Sequence, residues 1–167
     1  MTKNVFTMAL LWVMLMLLQV ICLRICLWNV AMPVVFIYFL LRLPIKMSIN
    51  AEFTLAFFTG LAVDLFADTP GMNAVACLLL ALLRRPVFSL YFSRGDDMPD
   101  SRPSAMHLGF EIYAKYMFTL TFVYCAILFG IQAFSSGLVL LTLERIFFSG
   151  LLSSVLIMGI ESMVVAR

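Results

Sequence analysis

Charged side chains at helical spacing within apolar runs are the groups of this sequence that could carry chemistry. Between residues 49 and 66, Glu52, Ala56, Gly60 and Asp64 recur every four residues, so they share one face of a helix. Ala56 and Gly60 form a small-xxx-small pair, which lets another backbone come close. Carboxylates at membrane depth face protein or water. This stripe is therefore predicted to face the inside of a bundle, with Glu52 near the cytoplasmic end and Asp64 near the outer end.

Two later runs carry comparable stripes. Glu111 precedes Lys115 by four residues, the favoured order for an ion pair within a helix, and Thr119 follows at the same spacing. The last run places four polar side chains on one stripe: Arg145, Ser149, Ser153 and Glu161. Two interpretations stay open. The stripes line a cavity for a polar ligand or ion, or they join helices, with each charge paired or reaching an interface.

Other reactive residue types are sparse. All four cysteines lie in apolar runs and are interpreted as small buried hydrophobes, although Cys22 and Cys26 share a helix face. The one histidine, His107, lies in a polar stretch, where we expect it to be solvated. Asp64 and Asp68 are four residues apart, but Asp68 borders a turn and suits a helix cap better than an acid pair. We expect no catalytic residue, no cofactor and no metal, and hence no enzyme.

Composition excludes a water-soluble domain. Of the 167 residues, 64% are apolar and 12% are charged, whereas soluble domains have about 45–50% apolar and about 25% charged residues. The formal net charge is +2, and no dense basic cluster is present, which argues against nucleic-acid binding. These figures predict a small polytopic membrane protein.

Six apolar runs approach the length of about 20 residues that spans a bilayer. They cover residues 5–23, 27–41, 49–66, 73–83 with an extension from Pro86 to 92, 110–134 and 138–165. The second run is short and contains Asn29 and Pro33, so a kinked or re-entrant segment is expected there. We predict an all-α, six-helix bundle that forms a single integral membrane domain over 1–167. Residues 93–107 form a solvated cytoplasmic loop within it.

The basic residues favour one orientation. With six spans, eight basic residues lie on one side and only Arg24 lies on the other; the eight are Lys3, Arg42, Lys46, Arg84, Arg85, Arg94, Arg102 and Arg167. The positive side is expected to be cytoplasmic. Both termini are then cytoplasmic.

The connection after the third run is the most informative stretch. It reads Gly60-Leu-Ala-Val-Asp64-Leu-Phe-Ala-Asp68-Thr-Pro-Gly71-Met-Asn73-Ala. We interpret it as a helix end, a tight turn and a helix start, with Asp68 or Thr69 as the cap and Pro70 in the first turn of the next helix. Gly71 allows close packing or an unusual backbone angle.

This pattern, G-L-x-x-D-x-x-x-x-T-P-G-M-N-A before an apolar run, resembles MreD, the rod shape-determining membrane protein family of bacteria. The length, the span layout and the segment around Arg84-Arg85-Pro86 are also similar to that family. The resemblance implies a bundle similar to the substrate-binding subunits of vitamin-uptake transporters. By this resemblance, four positions are structural or contact a partner: Gly60, Asp64, Gly71 and Asn73. The resemblance implies no catalytic residue.

The function that the resemblance implies is a non-enzymatic scaffold and regulator of the bacterial cell-elongation machinery, in the cytoplasmic (inner) membrane. It would bind an MreC-like bitopic protein and act beside MreB-like filaments and peptidoglycan synthases. Nine positions are packing or partner candidates: Glu52, Ala56, Gly60, Asp64, Gly71, Asn73, Glu111, Lys115 and Arg145. The alternative is a vitamin-type small-ligand binding or transport subunit. The first run lacks the Ala-x-x-x-Ala pair that such subunits use to dock their energising module.

Overall fold

The apolar runs fold into helices, which satisfy their own backbone hydrogen bonds in a medium that offers none. The computed structural model describes residues 2–24, 32–45, 47–91, 109–136 and 139–165. Within these residues the chain forms six helices: α1 (Thr2–Arg24), α2 (Ile37–Leu41), α3 (Ile49–Ala67), α4 (Met72–Tyr91), α5 (Phe110–Ser136) and α6 (Val139–Val165). The predicted all-α class is confirmed.

Five of these helices, all except α2, are long and apolar enough to cross a membrane. Their bounds follow the predicted runs closely, and α4 continues through Pro86 as expected. Large apolar side chains on their outer faces are exposed, among them Phe6, Leu65, Leu90, Leu140 and Met163. Such surfaces are suited to lipid, so the chain is a helical membrane protein.

The second predicted run differs from the other five. Residues 27–31 of that run lie outside the described residues, residues 32–35 have no regular secondary structure, and only the five residues of α2 are helical. Proline supplies no backbone N–H and disfavours helix before it, which accounts for the non-helical start around Pro33. Every residue from Val34 to Leu41 is buried. Residues 32–41, which we call the central segment, therefore run through the interior of the bundle, and only their second half is helical.

The bundle packs in the order of the chain from α3 onwards. The closest contacts join α3 to α4, α4 to α5 and α5 to α6, while α1 rests against α3 more loosely. Tyr113, Tyr116 and Tyr124 of α5 are fully buried beside α4 and the central segment. The predicted cytoplasmic loop at 93–107, with His107, and also Lys46 and Cys26, lie outside the described residues.

Candidate functional site

The connection between α3 and α4 is organised by one buried carboxylate. Asp64 Oδ1 accepts hydrogen bonds from the Thr69 hydroxyl at 2.6 Å, the Asn73 backbone N–H at 3.0 Å and the Asn73 amide at 2.9 Å. Asp64 Oδ2 accepts from the Ala74 N–H at 3.0 Å. Asp64 thus caps the first turn of α4, where free N–H groups and the helix dipole favour a negative charge.

The prediction that Asp68 or Thr69 caps α4 is therefore wrong. Asp68 ends α3 in the left-handed conformation, with φ 52°, and is exposed. Thr69 bonds the side chains of Asp64 and Asn73 and caps no N–H of α4. Pro70 lies before the first turn of α4, which begins at Met72. The cap comes from the preceding helix because the left-handed turn at Asp68 brings the start of α4 back over Asp64.

Glycine is required at Gly71 and at Gly60 for different physical reasons. Gly71 has φ +76°, and a side chain added there would meet nothing within 4 Å, so the backbone angle is what requires glycine. At Gly60 a Cβ would lie 2.5 Å from Ala74 Cα and 2.6 Å from the Asn73 carbonyl oxygen. The small-xxx-small stripe therefore does bring another backbone close, and that backbone is α4 of the same chain.

Asn73 links this connection to the next helix. Its side-chain oxygen accepts a hydrogen bond from the Tyr124 hydroxyl of α5 at 2.7 Å, while its amide donates to Asp64 and Thr69. Asn73 and Tyr124 are both buried. We call the set Gly60, Asp64, Thr69, Asn73, Ala74 and Tyr124 the hairpin cluster.

A second cluster lies at the other end of α3. Glu52 Oε1 pairs with Arg84 at 2.8 Å, and Glu52 Oε2 pairs with Arg85 at 3.0 Å. Glu52 and Arg84 are each only 2% exposed, whereas Arg85 is 36% exposed. One carboxylate therefore holds two guanidinium groups. We call Glu52, Arg84 and Arg85 the arginine cluster.

The arginines also bind the chain that leads into α3. Arg84 donates to the carbonyl oxygens of Leu41 and Leu43 and, through Nε, to the Tyr116 hydroxyl at 3.2 Å. Arg85 donates to the Met47 carbonyl at 2.6 Å. The end of α2, the α2–α3 connection, α4 and α5 are thus joined at one point.

A third group connects α2 to α6. The Tyr38 hydroxyl donates to Glu161 Oε2 at 2.5 Å and accepts from Arg42 at 2.6 Å. Arg42 and Glu161 lie 3.8 Å apart. Glu161 is 2% exposed, so its charge is met inside the bundle.

Side chains of two helices bind the non-helical part of the central segment. Gln19 of α1 accepts from the Val35 N–H at 2.8 Å and donates to the Pro33 carbonyl at 3.0 Å. On α6, Ser149 accepts from the Met32 N–H at 3.0 Å and Ser153 accepts from the Val34 N–H at 2.8 Å. Non-helical backbone at membrane depth is tolerated where protein groups satisfy it in this way.

Only some of the predicted polar stripes face the inside of the bundle. Glu52, Ala56, Gly60 and Asp64 are all buried, which confirms that this face of α3 points into the bundle. Of the two expectations for the charges, pairing or reaching an interface, Glu52 and Glu161 follow the first, because both are paired in the interior. Lys115 and Glu111 form the predicted ion pair at 2.7 Å, but they are 59% and 82% exposed and lie outside the bundle.

The polar stripe of the sixth predicted run is also only partly buried. Ser149, Ser153 and Glu161 are buried, and Arg145 is half-buried. Arg84, one of the eight basic residues on the predicted cytoplasmic side, is a buried helical residue, because α4 extends beyond it to Tyr91. Whether any of the nine candidates contacts a partner protein stays a prediction.

Sequence reasoning missed Gln19, Tyr38, Tyr124 and the interior role of Arg84. A signal existed for two of them, because Gln19 is the one strongly polar residue of its run and Arg84 follows an apolar stretch of α4 without a break. The partners of Tyr38 and Tyr124 are distant in sequence. No local spacing could indicate them.

The chemistry available to these clusters is that of helix-joining contacts. Most of their polar groups bind one another, and in the described part of the chain no set of three or more His, Cys, Asp or Glu could hold a metal. Cys22, Cys77 and Cys125 are free thiols. No family model, curated protein or solved structure matches the chain.

Proposed function

We propose that this protein is a non-enzymatic membrane scaffold and regulator of the bacterial cell-elongation machinery, which directs peptidoglycan synthesis in rod-shaped cells. Its direct partner in this proposal is an MreC-like protein with one membrane helix. MreB-like filaments and peptidoglycan synthases act in the same assembly. The proposal rests on the resemblance to the MreD family.

The hairpin cluster is the observation that carries the proposal. The residues of the resemblance, Gly60, Asp64, Gly71 and Asn73, each have a separate physical task in one connection. Gly60 lets α4 approach α3, and Asp64 caps α4. Gly71 adopts a positive φ, and Asn73 links α4 to α5. A chance match of letters would not be expected to select the residues that build a single unit. The match therefore supports a shared local structure, from which the family function is inferred.

A six-crossing topology follows from this proposal and is supported by the central segment. Met32 binds Ser149 and Tyr38 binds Glu161, twelve residues apart on α6, which corresponds to about 18 Å along the helix. The segment thus runs beside α6 over more than half of the apolar thickness of about 30 Å. We infer that the second predicted run, residues 27–41, forms the second crossing, that the arginine cluster lies on the cytoplasmic side, and that the protein belongs to the cytoplasmic membrane of bacteria.

The alternative, a vitamin-type binding subunit, drew on the polar stripes as the lining of a cavity. The buried members of those stripes bind other side chains or the backbone of the central segment. Such contacts favour a role in holding helices together. The scaffold proposal therefore has the stronger support.

Co-purification from the native host tests the proposal. A tagged, functional copy is extracted in mild detergent and should recover an MreC-like protein with one span. Another polytopic membrane protein of that host, tagged in the same way, is the control. Recovery of the tagged protein without such a partner would refute the proposal, and saturable nanomolar binding of riboflavin, thiamine or biotin would favour the alternative.

A further inference from the structure

An apolar groove of about 610 Å³ lies between α1 and α3 beside the α2–α3 connection. Met8 and Trp12 of α1, Phe58 and Thr59 of α3, and Leu43 and Met47 of the connection line it. It lies where α1 packs loosely against α3. The Trp12 indole donates to the Thr59 hydroxyl at 3.0 Å at one end of the groove.

The groove extends over the depth of one leaflet. Met47 lies just before the first residue of α3, and Thr59 lies ten residues into that helix, which corresponds to about 15 Å. The hydrocarbon core is about 30 Å thick. The groove thus starts at the membrane surface beside the arginine cluster and ends at the Trp12–Thr59 hydrogen bond near the midplane.

The surface end of the groove has an excess positive charge. Glu52 supplies one negative charge to Arg84 and Arg85, so the arginine cluster has a net charge of +1. Arg85 is its exposed member, and its guanidinium binds the carbonyl of the groove residue Met47. Lys46 is adjacent in sequence. A guanidinium offers five N–H donors in a geometry that suits phosphate.

The size of the groove favours a chain-like occupant over a helix. A helix with its side chains is about 10–12 Å wide and rises 5.4 Å per turn, so each turn fills roughly 400–600 Å³. A volume of about 610 Å³ spread over 15 Å of depth holds no more than about one such turn. A flexible apolar chain one leaflet long fits this shape.

We propose that the groove binds an acyl chain of an anionic phospholipid, whose phosphate contacts Arg85. The lipid comes from the leaflet on the side of the arginine cluster. Its phosphate balances the charge that Glu52 leaves unmatched, and the acyl chain fills the space beside Trp12. The inference is independent of the proposed cell-elongation function.

Fluorescence quenching by brominated lipids tests the proposal, because Trp12 lines the groove. The protein has two tryptophans, so Trp28→Phe leaves Trp12 as the reporter. The variant is reconstituted in phosphatidylcholine vesicles with an equal minor fraction of dibrominated phosphatidylglycerol or dibrominated phosphatidylcholine. We expect Trp12 to show a roughly fivefold preference for the anionic lipid, the size typical of one basic side chain at a charged leaflet.

A second groove, between α1 and α6, supplies an internal control. It measures about 780 Å³ and is lined by apolar residues that include Leu10, Met14 and Met163. Trp12→Phe, Trp28→Phe and Met14→Trp together move the reporter into that groove. Quenching there should be the same for both lipids.

Two matched substitutions separate the acyl chain from the phosphate. Ala9 lines the first groove, so Ala9→Phe should reduce the quenching of Trp12 by both lipids, whereas Ala126→Phe on the exposed face of α5 should not. Arg85→Gln should abolish the preference for phosphatidylglycerol but keep the quenching, and Arg85→Lys should retain part of the preference. Equal quenching by both lipids in the parent protein, or quenching that Ala9→Phe leaves unchanged, would overturn the proposal.

Discussion

At the scale of single residues, the carboxylate of Asp64 is the point on which the α3–α4 connection depends. It accepts four hydrogen bonds, two of them from backbone N–H groups of α4. A buried acceptor with that many donors cannot be replaced by a side chain that brings donors of its own without leaving groups unpaired. The four-residue spacing alone could indicate that Asp64 faces the bundle but not which groups it meets.

Asp64→Asn is expected to destabilise the protein by about 1–3 kcal/mol, the cost of leaving a buried polar group unsatisfied. Asn keeps one acceptor oxygen and places an NH2 group against donors of α4. Asp68→Asn is the control, because Asp68 is exposed and Asn tolerates its left-handed backbone angle. The thermal unfolding midpoint in detergent measures both, and similar midpoints would contradict the capping role.

Gly60→Leu should be far more destabilising than Gly130→Leu. A side chain at Gly60 collides with the backbone of Ala74 and Asn73, whereas nothing lies within 4 Å of a Cβ at Gly130. Overpacking of this kind costs about 1–3 kcal/mol or more. Monodisperse elution on gel filtration after mild heating is the measurement, and equal tolerance of both leucines would show that the close approach is not required.

At the scale of secondary-structure elements, the central segment depends on side chains from its neighbours. A non-helical stretch inside a membrane bundle has backbone groups that no helix satisfies. Gln19, Ser149 and Ser153 supply the missing partners from α1 and α6. These buried polar positions on α1 and α6 are thus explained by the backbone groups of the central segment that they bind.

Ser153→Ala and Ser162→Ala form a matched pair on α6. Ser153 is fully buried and accepts from the Val34 N–H, whereas Ser162 is exposed and bonds a carbonyl of its own helix. We expect Ser153→Ala to reduce the free energy of unfolding by about 1–3 kcal/mol and Ser162→Ala to change it by under about 0.5 kcal/mol. Chemical denaturation in mixed detergent compares them, and an equally small change in both would refute the role of Ser153.

The arginine cluster joins four elements and should respond unequally to its two arginines. Arg84→Met leaves the carbonyls of Leu41 and Leu43 without their donor, and the loss of a fully buried ionic partner costs about 3–5 kcal/mol. Arg85→Met removes a guanidinium that is 36% exposed and should cost less than half as much. The unfolding midpoints and the protease sensitivity of the α2–α3 connection measure this, and a larger effect at Arg85 would contradict it.

At the scale of the whole molecule, charged contacts lie near both ends of the bundle, and neutral hydrogen bonds lie between them. The hairpin cluster lies at one end of α3, and the arginine cluster and the Tyr38–Glu161 bond lie at the other. Between these ends, Trp12 bonds Thr59, and two serines of α6 bond the central segment. The outer faces of the helices are apolar, so the exposed surface suits lipid.

Reporter tags test the crossing of the membrane by the central segment. If the second predicted run, residues 27–41, crosses, tags at the two termini and an insertion at residue 97 report the same side, and an insertion at residue 25 reports the opposite side. Alkaline phosphatase and green fluorescent protein fusions distinguish the two sides. Termini on opposite sides would refute the six-crossing topology.

The sequence by itself determined that lipid surrounds the chain, that the fold is all-helical, and where five spans begin and end. It also determined the buried stripe of α3 and the Glu111–Lys115 pair. Those features follow from composition and from spacing within one helix, where geometry is the same in every protein. The tertiary structure decided the cap by Asp64 and the pairing of Glu52 with two arginines. It also decided the non-helical start of the central segment, with its bonds to Gln19, Ser149 and Ser153. Each of these joins residues that are distant in the chain, and only the packing of helices determines which buried polar groups meet.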